Sequence, residues 1–228
     1  MQATRVAYNQ ADSLLPIEAI TELDEMLARL PVPIWPGKSA NNTSLSIMQP
    51  MLNALLRELF EERGWRLEVS YSDANNYFAD AYKVFGGCRV MVEAEFGNSA
   101  RSGVDLLKFQ GAHLVCRTMD VGVQLTVTKR TAAKMDQNTA TFEDTQKLLA
   151  HVGHTYTTPV LLYGLEADGS THADIRNMGC SLASIKNGSN TRTKRLAREA
   201  LGLQPPKARK KGEILVVPAT ATGQLYLL

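Results

Sequence analysis

Glu93 and Glu95 stand two apart in "VMVEAEFGN", an alternating stretch from Val90 to Asn98 that predicts a β-strand. Residues two apart on a strand point to one side, so the spacing brings two carboxylates within a few ångströms of each other. Close carboxylates repel unless a proton or a cation sits between them. Facing open water they would simply form the solvated side of the strand, because screening removes most of that repulsion. Asp80 favours the first reading: it begins "DAYKVFGG", and a turn at Gly86 and Gly87 would fold it back beside the glutamates. Three carboxylates and the Ala94 carbonyl would then offer the oxygen ligands that hard Mg²⁺ takes while keeping several waters. A cation held there could orient a phosphodiester, acidify a water and stabilise a leaving oxygen.

Positioning these acids requires a sheet and helices to cover it. Ile17, Ile20, Leu23, Leu27 and Leu30 recur at helical spacing, so a helix is predicted from about Pro16 to Leu30, stopped by "PVPIWPG". A second helix, from about Pro50 to Arg63, carries Leu52, Leu55, Leu56, Leu59 and Phe60 on one stripe, with Gly64 as its C-terminal cap. "WRLEVSY" alternates as a strand and "SDANN" turns the chain. After "VMVEAEFGN" come a helix from about Ala100 to Val115, the strand "DVGVQLTVTKR", a helix from near Thr141 and the buried strand "TPVLLYGLE". Glu143 and Asp144 suit the first turn of the Thr141 helix. Helix, strand, strand, helix, strand, helix, strand is the order of an α/β domain with a mixed sheet flanked by helices. The 228 residues are read as one domain, with "EILVV" as one further strand near the end.

Charge is distributed unevenly. The net charge is +2, yet from Lys186 to Lys211 nine basic residues face only Glu199, so that segment carries +8 and the remainder −6. An acidic body with one basic segment points to a polyanionic partner, or else to a solvated surface stretch. No run approaches the roughly 20 apolar residues that span a bilayer, and "MQATRVAYNQADS" lacks an apolar signal core. Cys88, Cys116 and Cys180 are an odd set at unrelated spacings, which argues against a disulfide framework and for a reducing cytoplasm.

"DAYKVFGGCRVMVEAEFGN" resembles the catalytic stretch of PD-(D/E)XK nucleases, and most nearly the BglII and BstYI group of type II restriction endonucleases. The likeness extends through "GKSANNTSLSIMQPMLNALLRELFEERGW", "MDVGVQLTVTKRTAAKM" and "TTPVLLYGLE", covering about residues 10 to 166. It implies a restriction-endonuclease-like mixed sheet and a bacterial or archaeal, cytoplasmic enzyme. Such an enzyme cuts a short palindromic site in double-stranded DNA as a homodimer, with Mg²⁺, leaving 5′-phosphate and 3′-hydroxyl ends. It also implies a cognate DNA methyltransferase. Asp80 and Glu93 would bind metal together with the Ala94 carbonyl, and Asp73 is the substitute for Asp80 because the "FGG" spacing is longer than in the group. Glu95 takes the third signature position, usually Lys and Gln in this group. The Glu-x-Glu form resembles BamHI-like enzymes, and a glutamate there accepts a proton or orients the attacking water. By the same resemblance Gln137, Asn138 and Thr139 read bases; Gln and Asn can pair bidentately with adenine.

Arg192, Lys194, Arg195 and Arg198 are expected on charge alone to line a DNA-facing arm, mostly as phosphate contacts, with Lys207 to Lys211 as a second cluster. Lys83, Arg101 and Lys108 are further candidates for phosphate, or else ordinary solvated residues. His151 and His154 lack a third ligand for zinc. A DNA-binding protein without nuclease activity accounts for the charge equally well, and the acidic triad is what separates the two readings.

Overall fold

The computed structural model describes residues 1–72, 77–136, 138–186 and 191–204; Asp73, Gln137, Lys207 to Lys211 and "EILVV" lie outside the described residues. In chain order the elements are β1 (Gln2–Tyr8), α1 (Ala11–Leu14), α2 (Ile17–Arg29), β2 (Val32–Ile34), α3 (Gln49–Glu62), β3 (Arg66–Ser70), β4 (Phe78–Phe85) and β5 (Cys88–Ala94). There follow α4 (Arg101–Gln110), extended by a π-helical turn to Val115, then β6 (Val121–Val127), α5 (Lys129–Ala132), α6 (Phe142–Val152), β7 (Val160–Glu166), β8 (His172–Asp174), α7 (Leu182–Lys186) and α8 (Thr191–Ala200).

Among the described residues six strands form a mixed sheet in the order β1-β7-β6-β5-β4-β3. The central β5, β6 and β7 are parallel, and β1, β4 and β3 join antiparallel. The predicted turn closes the β4–β5 hairpin: Gly86 and Gly87 have φ of 54° and 95°, a region open to glycine at little cost. Gly64, with φ 75°, follows the last turn of α3 as the sequence predicts. The edge strand β1 lacks a buried alternating face, which is why its sequence gives no strand signal. β2 and β8 pair in a separate parallel ribbon.

Two apolar layers sandwich the sheet. Leu23, Leu27, Leu52, Leu55 and Leu59 of α2 and α3 pack on Val92, Val123 and Leu161. On the opposite face Leu106 and Phe109 of α4, with Leu149 of α6, pack on Met91, Val160 and Leu162. Helix α4 lies close to the sheet because residue 122 is glycine; a Cβ there would stand 2.7 Å from the Phe109 ring. That seat fixes the helix beside the end of β5.

The pleat breaks at one place. Leu67 and Ala81 belong to the α2–α3 layer, whereas Val69 and Ala79, two residues away, belong to the α4 layer. Between them Glu68 has φ 53°, and the β3–β4 register omits the Glu68–Asp80 pair. Regular alternation would keep i and i+2 on one face, so the strands change face at Asp80.

Candidate active site

Asp80 sits at this break, next to the end of β5. The Ala94 N–H donates to Asp80 Oδ2 at 2.9 Å, so the carboxylate takes a backbone donor of the neighbouring strand. Glu93, one residue earlier on β5, projects to the α4 face and is only 3% exposed. Lys108 Nζ of α4 donates to Glu93 Oε2 at 2.9 Å and lies 3.1 Å from Asp105 Oδ1. Glu93 Oε1 has no hydrogen-bond partner although it is buried. The side of the strand that alternation alone would leave wet is therefore covered by a helix.

The electrostatics follow from burial. Glu93 is pushed up to about 8, first by burial and then by Asp80, with Lys108 opposing. Burial likewise raises Asp105 to about 6 and raises Asp80, against the Ala94 N–H and the charges of Lys108 and Arg57. Carboxylates held this way gain from any nearby cation. On the α3 side a cavity of about 80 Å³ is lined by Asn53, Leu56, Arg57, Phe60, Asp80 and Ala94, and Asn53 Oδ1 is also buried without a partner.

Glu95 lies past the strand end. Its Oε1 accepts from the N–H groups of Gly97 (2.7 Å) and Asn98 (2.9 Å), and its Oε2 lies 3.7 Å from Arg101 Nε. Glu95 is thus held by the loop that follows the strand, while its charge still acts on Asp80. Among the described residues no three His, Cys, Asp or Glu side chains gather closely enough to hold a metal. Asp80, the open oxygen of Glu93 and the Ala94 carbonyl remain as a hard oxygen set. The orphaned Glu93 Oε1 fits a hard divalent cation, which takes oxygen ligands.

Other expected site residues distribute differently. Asn138 is exposed, and its carbonyl accepts from Ser99 N at 2.7 Å, which ties its loop to the one after β5. Thr139, expected to read bases, is 7% exposed, and its hydroxyl donates to the Asp136 carbonyl at 2.9 Å, bracing the loop. On α8, Lys194 pairs with Glu61 (2.9 Å) and Glu58 (3.4 Å), and Arg198 pairs with Glu58 (2.6 Å). Glu58 is buried, so these two cations neutralise an acid of α3. Arg192 and Arg195 are exposed. Lys83 binds Glu22 and the Arg63 carbonyl, away from the acids. His151 and His154 are exposed, and the three cysteines are free. Sequence reasoning missed Asp105 and left Lys108 as a candidate for phosphate. A signal existed: Asp105 and Lys108 are an i,i+3 pair on a helix that follows an acidic strand. Gln124, the lone polar residue of "VGVQL", is fully buried and pairs in register with Glu93.

Comparison with known proteins matches residues 4–165 to the family "Restriction endonuclease BglII/BglIII". The crystal structure of restriction endonuclease BglII complexed with a DNA 16-mer shares the fold at 17% identity and a TM-score of 0.62, over 72% of this chain and 76% of that one. Free BglII does so at 19% identity and 0.56, over 74% and 81%. No curated protein matches the chain. A mixed sheet between two helical layers, with acids at the end of its central strand, is here the frame of a type II site-specific deoxyribonuclease, a class that generally uses divalent metal ions. The chain belongs to the BglII/BglIII family of restriction endonucleases.

Proposed function

We propose that this protein hydrolyses phosphodiester bonds within a short palindromic double-stranded DNA site, with Mg²⁺, as a homodimer of one-domain subunits, leaving 5′-phosphate and 3′-hydroxyl ends. The observation that carries the reading is the buried, unpartnered Oε1 of Glu93 beside Asp80. Asp80, oriented by the Ala94 N–H, and Glu93 through Oε1 would hold the ion, with the Ala94 carbonyl as a third oxygen. Bound there, Mg²⁺ supplies positive charge toward the scissile phosphate and the leaving oxygen. Water attacks phosphorus in line. Glu95 accepts its proton or orients it through Oε2, because Oε1 is engaged by two backbone donors.

Asn138, with Gln137, is proposed to read base edges, and Arg192 and Arg195 to contact phosphates. A two-fold protein matches a two-fold site. The surface suits a second copy: Val104 and Leu107 of α4 are 49% and 65% exposed and border a groove of about 520 Å³ shared with Leu148 and Val152 of α6. A cognate DNA methyltransferase is expected in the same host, whose own sites need protection.

The test is digestion of plasmid DNA by the purified protein. A discrete ladder is expected with Mg²⁺ and none with Ca²⁺ or EDTA, and sequencing the cut ends reads the site and overhang. Glu93→Ala should abolish cutting. Glu95→Gln, which keeps an acceptor for the loop, should slow it by about 10²- to 10⁴-fold without lowering thermal stability. Salt-dependent DNA binding with no Mg²⁺-dependent cutting would instead establish a DNA-binding protein without nuclease activity.

A further inference from the structure

Lys108 and Asp105 belong to none of the roles above, yet they meet the acid at the centre of the site. Asp105 is 3% exposed, as is Glu93, and Lys108 bridges them at 3.1 and 2.9 Å. Two buried carboxylates, those of Glu93 and Asp105, therefore share one ammonium group, whose charge also acts on Asp80. Attraction between opposite charges is stronger here than in water. Lys108 engages one oxygen of each of its two partners and leaves Glu93 Oε1 open.

We propose that Lys108 is a positioning residue that selects the ligand oxygens of the divalent cation. By engaging Glu93 Oε2 and Asp105 Oδ1, it reserves Glu93 Oε1 and Asp80 for the ion and keeps Asp105 out of its coordination sphere. The inference rests on the endonuclease reading. Strand position 95 supplies no cation, and α4, seated on Gly122, delivers one from the helix layer instead. Without Lys108, Glu93 and Asp105 would lose the ion-pair partner they share and draw a divalent ion in more tightly. Asp105 and both oxygens of Glu93 would then take positions that Mg²⁺ otherwise keeps for water and phosphate. Removing one positive charge should thus strengthen ion binding and weaken catalysis, opposite signs that a merely structural lysine does not produce.

The experiment pairs calorimetric titration of the DNA-free full chain with Ca²⁺ and single-turnover plasmid cleavage in Mg²⁺. Lys108→Met should bind Ca²⁺ at least about threefold tighter, since a nearby repulsive charge is gone, and should cleave on the order of 100-fold more slowly. Lys108→Arg should stay near the parent in both. In the double variant Lys108→Met with Asp105→Asn, the surplus acid is gone, so Ca²⁺ affinity should return toward the parent value. This pair of substitutions also keeps the test open if Lys108→Met alone fails to fold. Unchanged or weaker Ca²⁺ binding in Lys108→Met overturns the proposal, as does an absence of Ca²⁺ binding by the parent chain. So does loss of Ca²⁺ binding in Asp105→Asn alone, which would make Asp105 a ligand. If the parent binds Ca²⁺ but cuts no DNA, the endonuclease reading fails, while the Ca²⁺ affinities still decide the role of Lys108.

Discussion

Glu93 and Asp105 hold their protons more tightly in the folded chain than a free carboxylate does, the first up to about 8 and the second up to about 6. A group whose folded value is raised stabilises the fold below its unfolded value, and that stability is lost as pH rises through the folded value. The metal-free protein should therefore melt at a lower temperature as pH climbs from about 5 to about 8.5. Glu93→Gln should flatten this slope, because the amide does not ionise. Ca²⁺ or Mg²⁺ should restore stability mainly at the alkaline end, where the carboxylates are charged and able to bind it. Differential scanning calorimetry in EDTA, with and without added cation, checks each arm. Asp105 still contributes at the acidic end in Glu93→Gln, so a slope left unchanged above about pH 6 would locate the effect elsewhere.

Among the elements, α8 shows how charge on a helix serves the fold. Its apolar side, Leu196 and Ala197, is buried, while Lys194 and Arg198 flank Glu58 of α3. Removing one partner from a buried ion pair leaves a charge without compensation and is strongly destabilising. Lys194 remains beside Glu58 in Arg198→Met, so a smaller cost is expected, about 1–3 kcal/mol, read by urea unfolding. DNA affinity of the folded variant should stay near the parent value. A large fall in affinity with unchanged stability would return Arg198 to the set of DNA contacts. Helix α4 works differently: its approach to the sheet depends on the missing Cβ at Gly122, and it carries Asp105 and Lys108 to β5.

Across the whole molecule, charge and exposed apolar surface divide the labour. The basic segment, including α8, carries +8 against −6 for the rest of the chain. Each phosphate contact releases counterions, so Arg195→Ala should lower the slope of log affinity against log salt by about 1. The apolar face of α4 and α6 predicts a second effect. Leu107→Asp places a charge in the proposed contact between copies and should shift the protein toward monomer in sedimentation velocity. Cleavage of both strands at one site should fall with it, while the fold, monitored by circular dichroism, is retained. A dimer unaffected by this change would move the interface to another face.

Local signals made much of this legible in the sequence. Apolar spacing gave α2 and α3 to within a residue or two, and the Gly86–Gly87 turn folded Asp80 beside β5, because turn residues and periodicity act on near neighbours. Alternation also named Glu93 and Glu95, but it does not distinguish a strand face in water from one beneath a helix. Only the tertiary structure decided that Glu93 is buried under α4 and that Glu95 closes the loop beyond the strand. The same holds for the bond by which Thr139 braces its loop, and for the pairing of Lys194 and Arg198 with Glu58 and Glu61 of α3. Each depends on groups brought together by packing, some distant in sequence. The identity of the acids was local, whereas their environment, and hence their chemistry, was fixed by what the fold placed against them.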